Sequence, residues 1–474
     1  MNMKKRVFNY ILLIVVFLAL SFTFVSADSG WYVNDAHSMV PQFFEGVFAI
    51  GSSGTAPLSS DRVYALTKNG LQLLGITNPA SELKYENHRI NIASNTVRAG
   101  LNYYYSASRD TSVGSAVLEN LYGSGYSVGH IGTDGTFAES VSVSGTKLTV
   151  KYSGDTCISV YAEGESEPVY VADTSGRNDY LIVHPISDRP TTYARHSYYG
   201  DFCFAVIGSG QLTVVNMIDI DHYVMGVCAC EMSEYWPIEA LKAQAVAART
   251  FVQKNISSSV YYYTCGFDVT ADTYCQAYNG CGNVGSNIEA AVSGTNNLYL
   301  TYNDKLIDAM YSSSDGGSTE SNANVFGSTA HPYLVGVTDP YEAAAGSSNP
   351  YSSWEVTMTR SQLGSKVGLG PVVSVTPTYS ETGNVIKLDL VAADGQKATI
   401  IRDSCRTVPG LKSIHYEVTQ NSSGNYVFSG GGFGHNVGMS QWGAYAMAKY
   451  YNKDYRSILG FYYTGVGLSY GELK

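Results

Sequence analysis

The stretch between Glu231 and Thr250 constrains the fold most, because several of its positions specify the same helix. Pro237 suits the first helical position, where its missing N–H costs nothing. Glu239 then falls in the first turn, where a carboxylate complements the helix dipole. Apolar residues recur at helical spacing and form a narrow stripe: Ile238, Leu241, Ala245, Ala248 and Val252. The pattern predicts an amphipathic helix that packs closely along one thin face.

Three charged residues accompany this helix. Glu231 lies just before it, and Lys242 and Arg249 share a face away from the apolar stripe. A carboxylate and two cations in this arrangement suit a polar or anionic substrate. An ordinary amphipathic helix with a solvated charged face is the alternative, and the spacing alone favours that alternative.

Residues 1–27 have the organisation of a signal peptide. Basic residues Lys4–Arg6 precede an apolar run from Ile11 to Phe24, and small residues close the segment at Val25–Ala27. The apolar run is short for a bilayer span, which needs about 20 residues, and this favours cleavage over a retained anchor. We therefore expect an exported protein.

Composition indicates a folded, strand-rich chain. The 39 Tyr and 48 Gly accompany a charged fraction of 15%, which is typical of globular proteins rich in strands and turns. The formal net charge of −11 argues against a nucleic-acid partner and against a general polyanion binder. With the helix above, these features predict a β-rich α+β fold with one prominent helix.

Short strand patterns separated by turns divide the mature chain into three regions. We predict a β-rich N-terminal region of unknown role at residues 28–95, a β-rich part at residues 96–200, and a core that carries the prominent helix at residues 201–470.

Individual strands follow from local patterns. Ser140–Lys151 has the pattern of a hairpin, and Gly210–Ile218 that of a strand that leads into Asp221–Cys228. Strand pairs are also expected around the turns Asn303-Asp304 and Asp394-Gly395.

Eight cysteines allow disulfides in an exported protein, but their spacing does not give the connectivity. Cys228 and Cys230 would point to the same side of a strand and are not expected to bond each other. Cys265, Cys275 and Cys281 follow the helix and suit either a metal site or a disulfide knot. Because no C-x-x-C pair is present, spacing alone is weak support for zinc.

A glycine-rich segment, Ser429–Tyr445, is the second candidate for function. Its glycines let the backbone approach a ligand closely, with His435, Ser440 and Gln441 as polar groups and Trp442 as a surface for stacking on a sugar. A phosphate loop would need a Walker pattern, and a nucleophilic Ser would need G-x-S-x-G; both are missing. A structural turn with a buried His435 is the alternative.

Four segments together resemble the stage II sporulation protein D family, which includes the LytB amidase-enhancer proteins. They are, in chain order, Glu231-Met232 with Pro237–Thr250, then Tyr311–Gly317, Gly434–Ala444 and Tyr462–Val466. They occur in the family's order, and the similarity spans roughly residues 96–467.

The resemblance implies a bacterial cell-wall enzyme, a lytic transglycosylase. Such an enzyme cuts the MurNAc–GlcNAc bond of peptidoglycan without water and leaves a 1,6-anhydro end. It assigns the role of single general acid and base to Glu231. A two-carboxylate hydrolase would need a second acid, for which Glu234 and Glu239 are candidates, although Glu239 also serves the helix terminus.

Substrate-binding roles are carried over to six further residues: Lys242, Arg249, Tyr311, His435, Ser440 and Gln441. A structural salt bridge is the alternative for Lys242 and Arg249. The implied partners are peptidoglycan glycan strands and a cell-wall amidase, outside the cell or at its wall, in sporulation or in wall remodelling. A non-catalytic wall-binding protein that enhances a partner amidase is the alternative function.

The chain departs from the family's motifs at three positions. Ser233 stands where the acidic motif commonly has Pro, Ser312 where the second motif has His, and Asp315 in place of that motif's second Ser.

The resemblance implies no required cofactor, with zinc as an option. Some relatives bind zinc through a His and two Cys after the helix. Here Cys275 matches one ligand and Cys265 lies near the His position, whereas Thr270 stands near the place of the other Cys. A zinc site would have to be rearranged.

Overall fold

The computed structural model describes residues 32–33, 46–50, 61–67, 70–77 and 84–473, except 132–135, 175–179 and 209. The predicted signal segment lies outside these residues. The structure is 23% helical and 38% strand, which confirms the β-rich α+β class. No helix within the described ranges is long and apolar enough to cross a membrane.

The chain divides into two compact units. The first comprises Met1–Glu82 and Ser314–Gly443, and the second comprises Leu83–Ser313 and Ala444–Lys474. The division predicted after residues 95 and 200 stays a prediction.

The strands follow in chain order. Near the N-terminus, the first unit contains β1 (Tyr32–Val33), β2 (Gly46–Ile50), β3 (Asp61–Thr67) and β4 (Gly70–Thr77). The second unit then contains β5 (Lys84–Ile92), β6 (Thr96–Asn102), β7 (Tyr104–Ser106), β8 (Arg109–Asp110), β9 (Ser115–Glu119), β10 (Gly125–Ile131), β11 (Phe137–Ser144), β12 (Lys147–Gly154), β13 (Cys157–Ala162), β14 (Tyr170–Asp173), β15 (Leu181–Pro185), β16 (Thr191–Tyr193), β17 (His196–Tyr198), β18 (Asp201–Val206), β19 (Leu212–Asp219), β20 (Val269–Thr270), β21 (Leu298–Tyr302), β22 (Lys305–Leu306) and β23 (Tyr311–Ser312). The first unit adds β24 (Trp354–Met358), β25 (Val372–Tyr379), β26 (Val385–Ala392), β27 (Lys397–Ile401), β28 (Tyr416–Gln420), β29 (Tyr426–Gly430) and β30 (Met439–Ser440), and β31 (Gly467–Leu473) closes the second unit.

Each unit has its own sheets. The second unit contains a seven-stranded sheet (β11-β10-β15-β18-β19-β6-β20), a six-stranded sheet (β14-β13-β12-β9-β16-β17), a four-stranded sheet (β22-β21-β31-β5) and the pair β7-β8. The first unit contains the antiparallel sheets β1-β2-β3-β4, β24-β29-β28 and β25-β26-β27. In the second unit, β20 runs parallel to β6 and β31 parallel to β5, while the other pairs are antiparallel.

The helices are α1 (Ile220–Glu231), α2 (Ile238–Asn255), α3 (Val260–Cys265), α4 (Ser286–Ser293), α5 (Asn322–Phe326), α6 (Arg360–Val367), α7 (Ser404–Thr407), α8 (Gln441–Tyr451) and α9 (Tyr455–Tyr462). A 3₁₀ helix spans Glu342–Ser348. In the second unit, α2 packs against α1, α4 and α9 and against β21.

Helix α2 confirms the predicted helix, but more of its surface is buried than the single apolar face that we predicted. Pro237 is the N-cap, one residue earlier than expected, and Glu239 lies in the first turn. The prediction of a single thin apolar stripe is wrong, because Ala243 and Ala247, outside the stripe, are also fully buried. Small alanines on several sides let neighbouring helices approach closely, so α2 is buried around most of its circumference.

The segment Asp221–Cys228 forms most of α1, so the expectation that Cys228 and Cys230 lie on a strand is wrong. Asp219 is the N-cap, and its carboxylate accepts a hydrogen bond from the backbone N–H of His222 at 3.1 Å. Buried aromatic and β-branched residues gave this helix the composition of a strand. Cys228 and Cys230, about 200° apart around a helix, therefore do not share a side.

Among the predicted hairpins, one is wrong and two are confirmed. Ser140–Lys151 contains β11 and β12, but β11 pairs with β10, whereas β12 pairs with β9 and β13 in another sheet. The expected strand at Gly210–Ile218 is β19, and the pairs around Asn303-Asp304 and Asp394-Gly395 are β21-β22 and β26-β27. Asn303 and Asp304 both have positive φ, 49° and 62°, which produces the tight two-residue turn.

Candidate active site

Glu231 is the last residue of α1. The helix ends there because Met232, its C-cap, turns to an extended backbone and donates its N–H to the carbonyl of Cys228 at 2.9 Å. The Glu231 side chain is half-buried and accepts a hydrogen bond from the backbone N–H of Ala277 at 3.3 Å. The acid thus sits between the end of a packed helix and the loop that follows α3.

A buried hydrogen-bond chain lies beside Glu231. Gln276 accepts from the Tyr223 hydroxyl at 3.3 Å and donates through Nε2 to the Tyr311 hydroxyl at 3.0 Å. Burial raises the pKa of Tyr311 well above its ordinary value, and the nearby negative charge of Glu231 raises it further. Tyr311 therefore stays protonated, and because its oxygen accepts from Gln276, its own hydrogen can be donated elsewhere.

The structure thus brings together Glu231 and Tyr311, which are 80 residues apart in the sequence. Sequence reasoning missed Gln276 and Tyr223, which position Tyr311. The signal available for Gln276 was its place beside Cys275, in the loop considered for a metal site or a disulfide knot.

Glu234 and Glu239, the other two acids between Glu231 and Thr250, accept hydrogen bonds from helix N-termini. Glu234 accepts from the backbone N–H groups of Asn287 and Ile288, at 2.8 and 3.2 Å, in the first turn of α4. A Cβ at Gly285 would lie 2.3 Å from the Glu234 carboxyl carbon, so glycine leaves the room that this cap needs. The carboxylate of Glu234 therefore stabilises α4.

Glu239 links α2 to α9. Its carboxylate accepts from Lys242 Nζ at 2.7 Å and from the backbone N–H of Tyr455, the first residue of α9, at 2.9 Å. Lys242 is partly exposed, and its ammonium lies 5.8 Å from the ring centroid of Tyr455. Both side chains thus join the start of α2 to the start of α9.

Arg249 is fully buried on α2. Its guanidinium donates to the carbonyl oxygens of Thr295 and Val292, at 2.9 and 3.1 Å, and pairs with Asp221 at 3.2 Å. These contacts tie α2 to α1 and to the end of α4. The geometry favours the structural alternative for Arg249 over the substrate-binding role.

The three cysteines after α2 have separate surroundings. Cys265 is fully buried and its thiol donates to the carbonyl of Tyr104 at 3.4 Å, while the Cys281 thiol donates to the carbonyl of Ser197 at 3.2 Å. Burial raises the pKa of Cys265 to about 11, so its thiol is protonated at neutral pH. All eight cysteines are free thiols. Within the described residues these cysteines do not gather with other ligands into a group of three, and the zinc option stays a prediction.

In the first unit, one buried carboxylate joins two of the motif segments. Glu342 accepts hydrogen bonds from five donors: Ser314 Oγ, the backbone N–H groups of Asp315 and Gly316, Asn349 Nδ2 and Ser440 Oγ. No sequence pattern singled out Glu342, because its donors come from distant parts of the chain.

Ser440 and Gln441 are both buried, at 0% and 4% exposure. The Ser440 hydroxyl donates to Glu342 and also accepts from the backbone N–H of Gly443 at 3.1 Å, which makes it a cap for the first turn of α8. Its substrate-binding role stays a prediction beside this structural one.

His435 lies half-buried on the glycine-rich segment. Its Nδ1 accepts from the backbone N–H of Val437 at 3.0 Å, so the neutral ring carries its proton on Nε2. The ring packs edge-to-face on Phe326, with centroids 5.4 Å apart. A Cβ at Gly316 would lie 2.5 Å from the carbonyl carbon of Gly431, so the two motif segments approach each other backbone to backbone.

The predicted site residues therefore fall into two groups. Glu231, Lys242, Arg249 and Tyr311 belong to the second unit, whereas His435, Ser440 and Gln441 belong to the first.

Comparison with known proteins identifies the family of this chain. A sequence model described as "Stage II sporulation protein" matches residues 208–302, which contain α1, α2 and Gln276. Stage II sporulation protein D of Bacillus amyloliquefaciens is 32% identical over 271 residues, 54% of this chain and 75% of that protein. The chain belongs to the stage II sporulation protein D family. This membership confirms the resemblance seen in the motifs.

The family is related to sporulation and the cell wall, and two further relatives each align with more than half of this chain. An uncharacterized protein of Brachyspira hyodysenteriae is 37% identical over 284 residues, 57% of this chain and 72% of its own length. The amidase enhancer of Bacillus subtilis is 31% identical over 300 residues, 52% of this chain and 40% of the enhancer.

Proposed function

We propose that this protein is an exported peptidoglycan lytic transglycosylase in which Glu231 is the single general acid and base. The observation that carries the proposal is the contrast among the acids of the motif segment. Glu234 and Glu239 cap the N-termini of α4 and α9, whereas Glu231, oriented by the Ala277 N–H, is half-buried beside the protonated Tyr311. One carboxylate in such a setting suits a reaction that needs one acid.

The reaction balances with Glu231 alone. The protonated carboxyl donates its proton to the glycosidic oxygen as the bond from MurNAc C1 to that oxygen breaks, and the GlcNAc hydroxyl leaves. The C6 hydroxyl of the same MurNAc then bonds to C1, and the Glu231 carboxylate accepts the hydroxyl proton. The product is a 1,6-anhydro end, the carboxyl is protonated again, and no water is consumed.

Tyr311 and the α1–α2 framework support this role. The Tyr311 hydroxyl, fixed by Gln276, can donate to the Glu231 carboxylate or to a sugar oxygen as charge develops. The Ala277 N–H orients Glu231 from the other direction. Because α1 packs on the buried helix α2, the acid is mounted on a rigid element.

Substitution of Glu231 tests the proposal. The substrate is purified glycan strands whose stem peptides an amidase has removed, and 1,6-anhydro ends are counted by mass spectrometry. We expect wild-type protein to generate these ends and Glu231→Gln to generate about 100-fold fewer or less, since acid–base groups contribute at least that much. Glu289→Gln, the same change at an exposed position of α4, should keep wild-type activity.

Three outcomes would contradict the proposal in different ways. If wild-type protein yields no cleavage, the protein is not a transglycosylase. Equal cleavage by wild type and Glu231→Gln would mean that Glu231 is not the acid. Reducing ends in place of anhydro ends would indicate hydrolysis.

The second candidate function is that of a non-catalytic wall-binding protein that enhances a partner amidase. The similarity to the amidase enhancer of Bacillus subtilis favours it. It predicts that wild-type protein and Glu231→Gln yield no anhydro ends, yet both accelerate stem-peptide removal by a cell-wall amidase. Measuring amidase rates in the same digests separates the two functions.

A further inference from the structure

The loop at residues 271–278 supplies two contacts that orient the candidate acid and its neighbour, yet the loop itself contains no helix or strand. The N–H of Ala277 donates to Glu231 at 3.3 Å, and Gln276 donates to the Tyr311 hydroxyl at 3.0 Å. Because the two donors are consecutive in the chain, one displacement of this loop moves both contacts together. The groups that hold the loop therefore bear on the geometry of the candidate site.

The two ends of the loop are held in different ways. At the near end, the N–H of Ala271 donates to the carbonyl of Gly100 in β6 at 3.0 Å. At the far end, the hydroxyl of the buried Tyr278 donates to Asn216 of β19 at 2.7 Å. Between these two points, the side chain of Asp272 makes the further contacts that hold the start of the loop.

The Asp272 carboxylate gathers donors from the loop and from outside it. It accepts from the Tyr103 hydroxyl at 2.6 Å, from the Thr270 hydroxyl at 2.7 Å and from the backbone N–H of Tyr274 at 3.0 Å. Arg109 of β8 adds an ion pair at 3.5 Å. Since Tyr103 and Arg109 lie outside the loop, these contacts fasten its first residues to the strands beside it.

Arg109 stiffens this attachment. Its side chain is 14% exposed, and its guanidinium donates to the hydroxyls of Tyr103 and Tyr261 at 2.9 and 2.7 Å. Its Cζ lies 3.4 Å from the ring centroid of Tyr274, so close that the guanidinium must lie on the face of that ring. The same cation therefore contacts the loop twice, at the Asp272 carboxylate and at the Tyr274 ring.

We propose that Asp272 is a positioning residue for Glu231 and Tyr311. Paired with Arg109, it holds the start of the loop so that the two consecutive donors meet the acid and the tyrosine. It acts through the loop and needs no contact with substrate. The inference rests on the proposed function, in which a misplacement of about 1 Å at the reacting groups can cost about 100-fold in rate.

Asp272→Asn is the variant that removes the charge and keeps the shape. Both carboxylate oxygens of Asp272 accept hydrogen bonds, so in the amide one of them is replaced by an NH₂ group that faces a donor, and the ion pair with Arg109 is lost. The matched control is Asp155→Asn, the same change in the exposed turn between β12 and β13 of the same unit. There φ is 51°, a conformation that Asn also tolerates.

Hydrogen exchange measured by mass spectrometry tests the position of the loop without requiring activity. Exchange of residues 271–278 should be about 10-fold faster or more in Asp272→Asn, because charge-assisted hydrogen bonds are lost, and unchanged in Asp155→Asn. Residues 240–252 of α2 should exchange as in wild type. Wild-type exchange of the loop in Asp272→Asn would refute the proposal. Equal loosening of α2 would also refute it, since Asp272 would then stabilise the whole unit.

Kinetics separate a positioning role from a merely structural one. Asp272→Asn should lower kcat for anhydro-end formation about 10-fold or more and leave KM within about twofold, because the substrate contacts stay. Asp272→Asn and Tyr311→Phe disturb the same arrangement. The loss in the double variant should therefore be at least about 3-fold smaller than the product of the two single losses.

The double variant also gives the result that contradicts the proposal. If Asp272→Asn merely lowered the folded fraction, every variant would be scaled equally and the losses would multiply, which would refute the positioning role. If wild-type protein forms no anhydro ends, the proposed function fails, and the exchange of residues 271–278 alone decides whether Asp272 holds the loop.

Discussion

Replacing Arg249 by Met decides between its two interpretations. Arg249 either links α2 to α1 and α4 structurally or binds substrate as a cation. The guanidinium is fully buried and makes its contacts inside the second unit: two carbonyl oxygens at 2.9 and 3.1 Å and Asp221 at 3.2 Å. Met retains most of the apolar stem and removes the charge. If the tie is structural, its loss should loosen α2 against α1 and α4.

The magnitude follows from what each partner loses. Two hydrogen bonds from a charged donor contribute about 1.5–3 kcal/mol each. The carbonyls do not become orphans, because Val292 still accepts from the N–H of Thr295, and Thr295 from that of Leu298. Asp221 is 31% exposed, so water replaces its partner at little cost. The substitution to Met also removes the desolvation penalty of a buried charge. We therefore expect the free energy of unfolding to fall by about 2–4 kcal/mol.

Hydrogen exchange measured by mass spectrometry reports this loss locally, which suits a chain with two units. Protection of the peptide spanning Ala240–Val252 should fall about 30- to 1,000-fold in Arg249→Met. Lys242→Met removes a partly exposed ion pair on the same helix and should lower protection less than about 5-fold. Unchanged protection in Arg249→Met, together with weaker glycan cleavage, would refute the structural interpretation.

Two further results are expected. Tyr311→Phe should lower formation of anhydro ends about 10- to 100-fold without changing the melting temperature, since Gln276 still donates to the Ala248 carbonyl; full activity would exclude Tyr311 from the site. The hydrogen bond from His222 to Asp219 raises the pKa of His222 and, against the effect of burial, lowers that of Asp219. The stabilisation of the α1 N-terminus is therefore complete between about pH 4 and 6.5, lost above this window as His222 deprotonates and below it as Asp219 protonates. An NMR titration midpoint for His222 at or below about 6.5 would contradict this.

Local signals predicted local structure well. Pro237, Glu239 and the alanines specify α2, and Asp394-Gly395 specifies the β26-β27 hairpin, because each depends on residues within a few positions. The segment after Asp219 was misassigned because a helix buried on most sides has no polar face to give it a helical period. The partners of β11 and β12 were wrong because strand pairing is settled by strands elsewhere in the sheet.

In the candidate site, too, residues within a local motif could be predicted, whereas residues with distant partners could not. Glu231 was found through its motif, and its proximity to Tyr311 required the fold. No local pattern identifies Gln276 or Glu342. Their hydrogen-bond partners are distant in the sequence, up to 98 residues away, and become neighbours only in the folded chain. Asp315 was visible in the sequence as a departure from the motif, but its burial beside Glu342 is a property of the packed interior.

The arrangement of the three motif acids also bears on the choice between transglycosylation and hydrolysis. A hydrolase would need a second carboxylate to activate water or to attack the sugar. To serve in that way, Glu234 would have to leave the two N–H groups of α4, or Glu239 the N-terminus of α9, and losing a cap costs about 0.5–2 kcal/mol. Attack by the C6 hydroxyl needs no second acid and leaves both caps in place. The cost of freeing a partner therefore favours anhydro products, and a Glu234→Gln variant that loses stability but keeps anhydro-end formation would be the expected consequence.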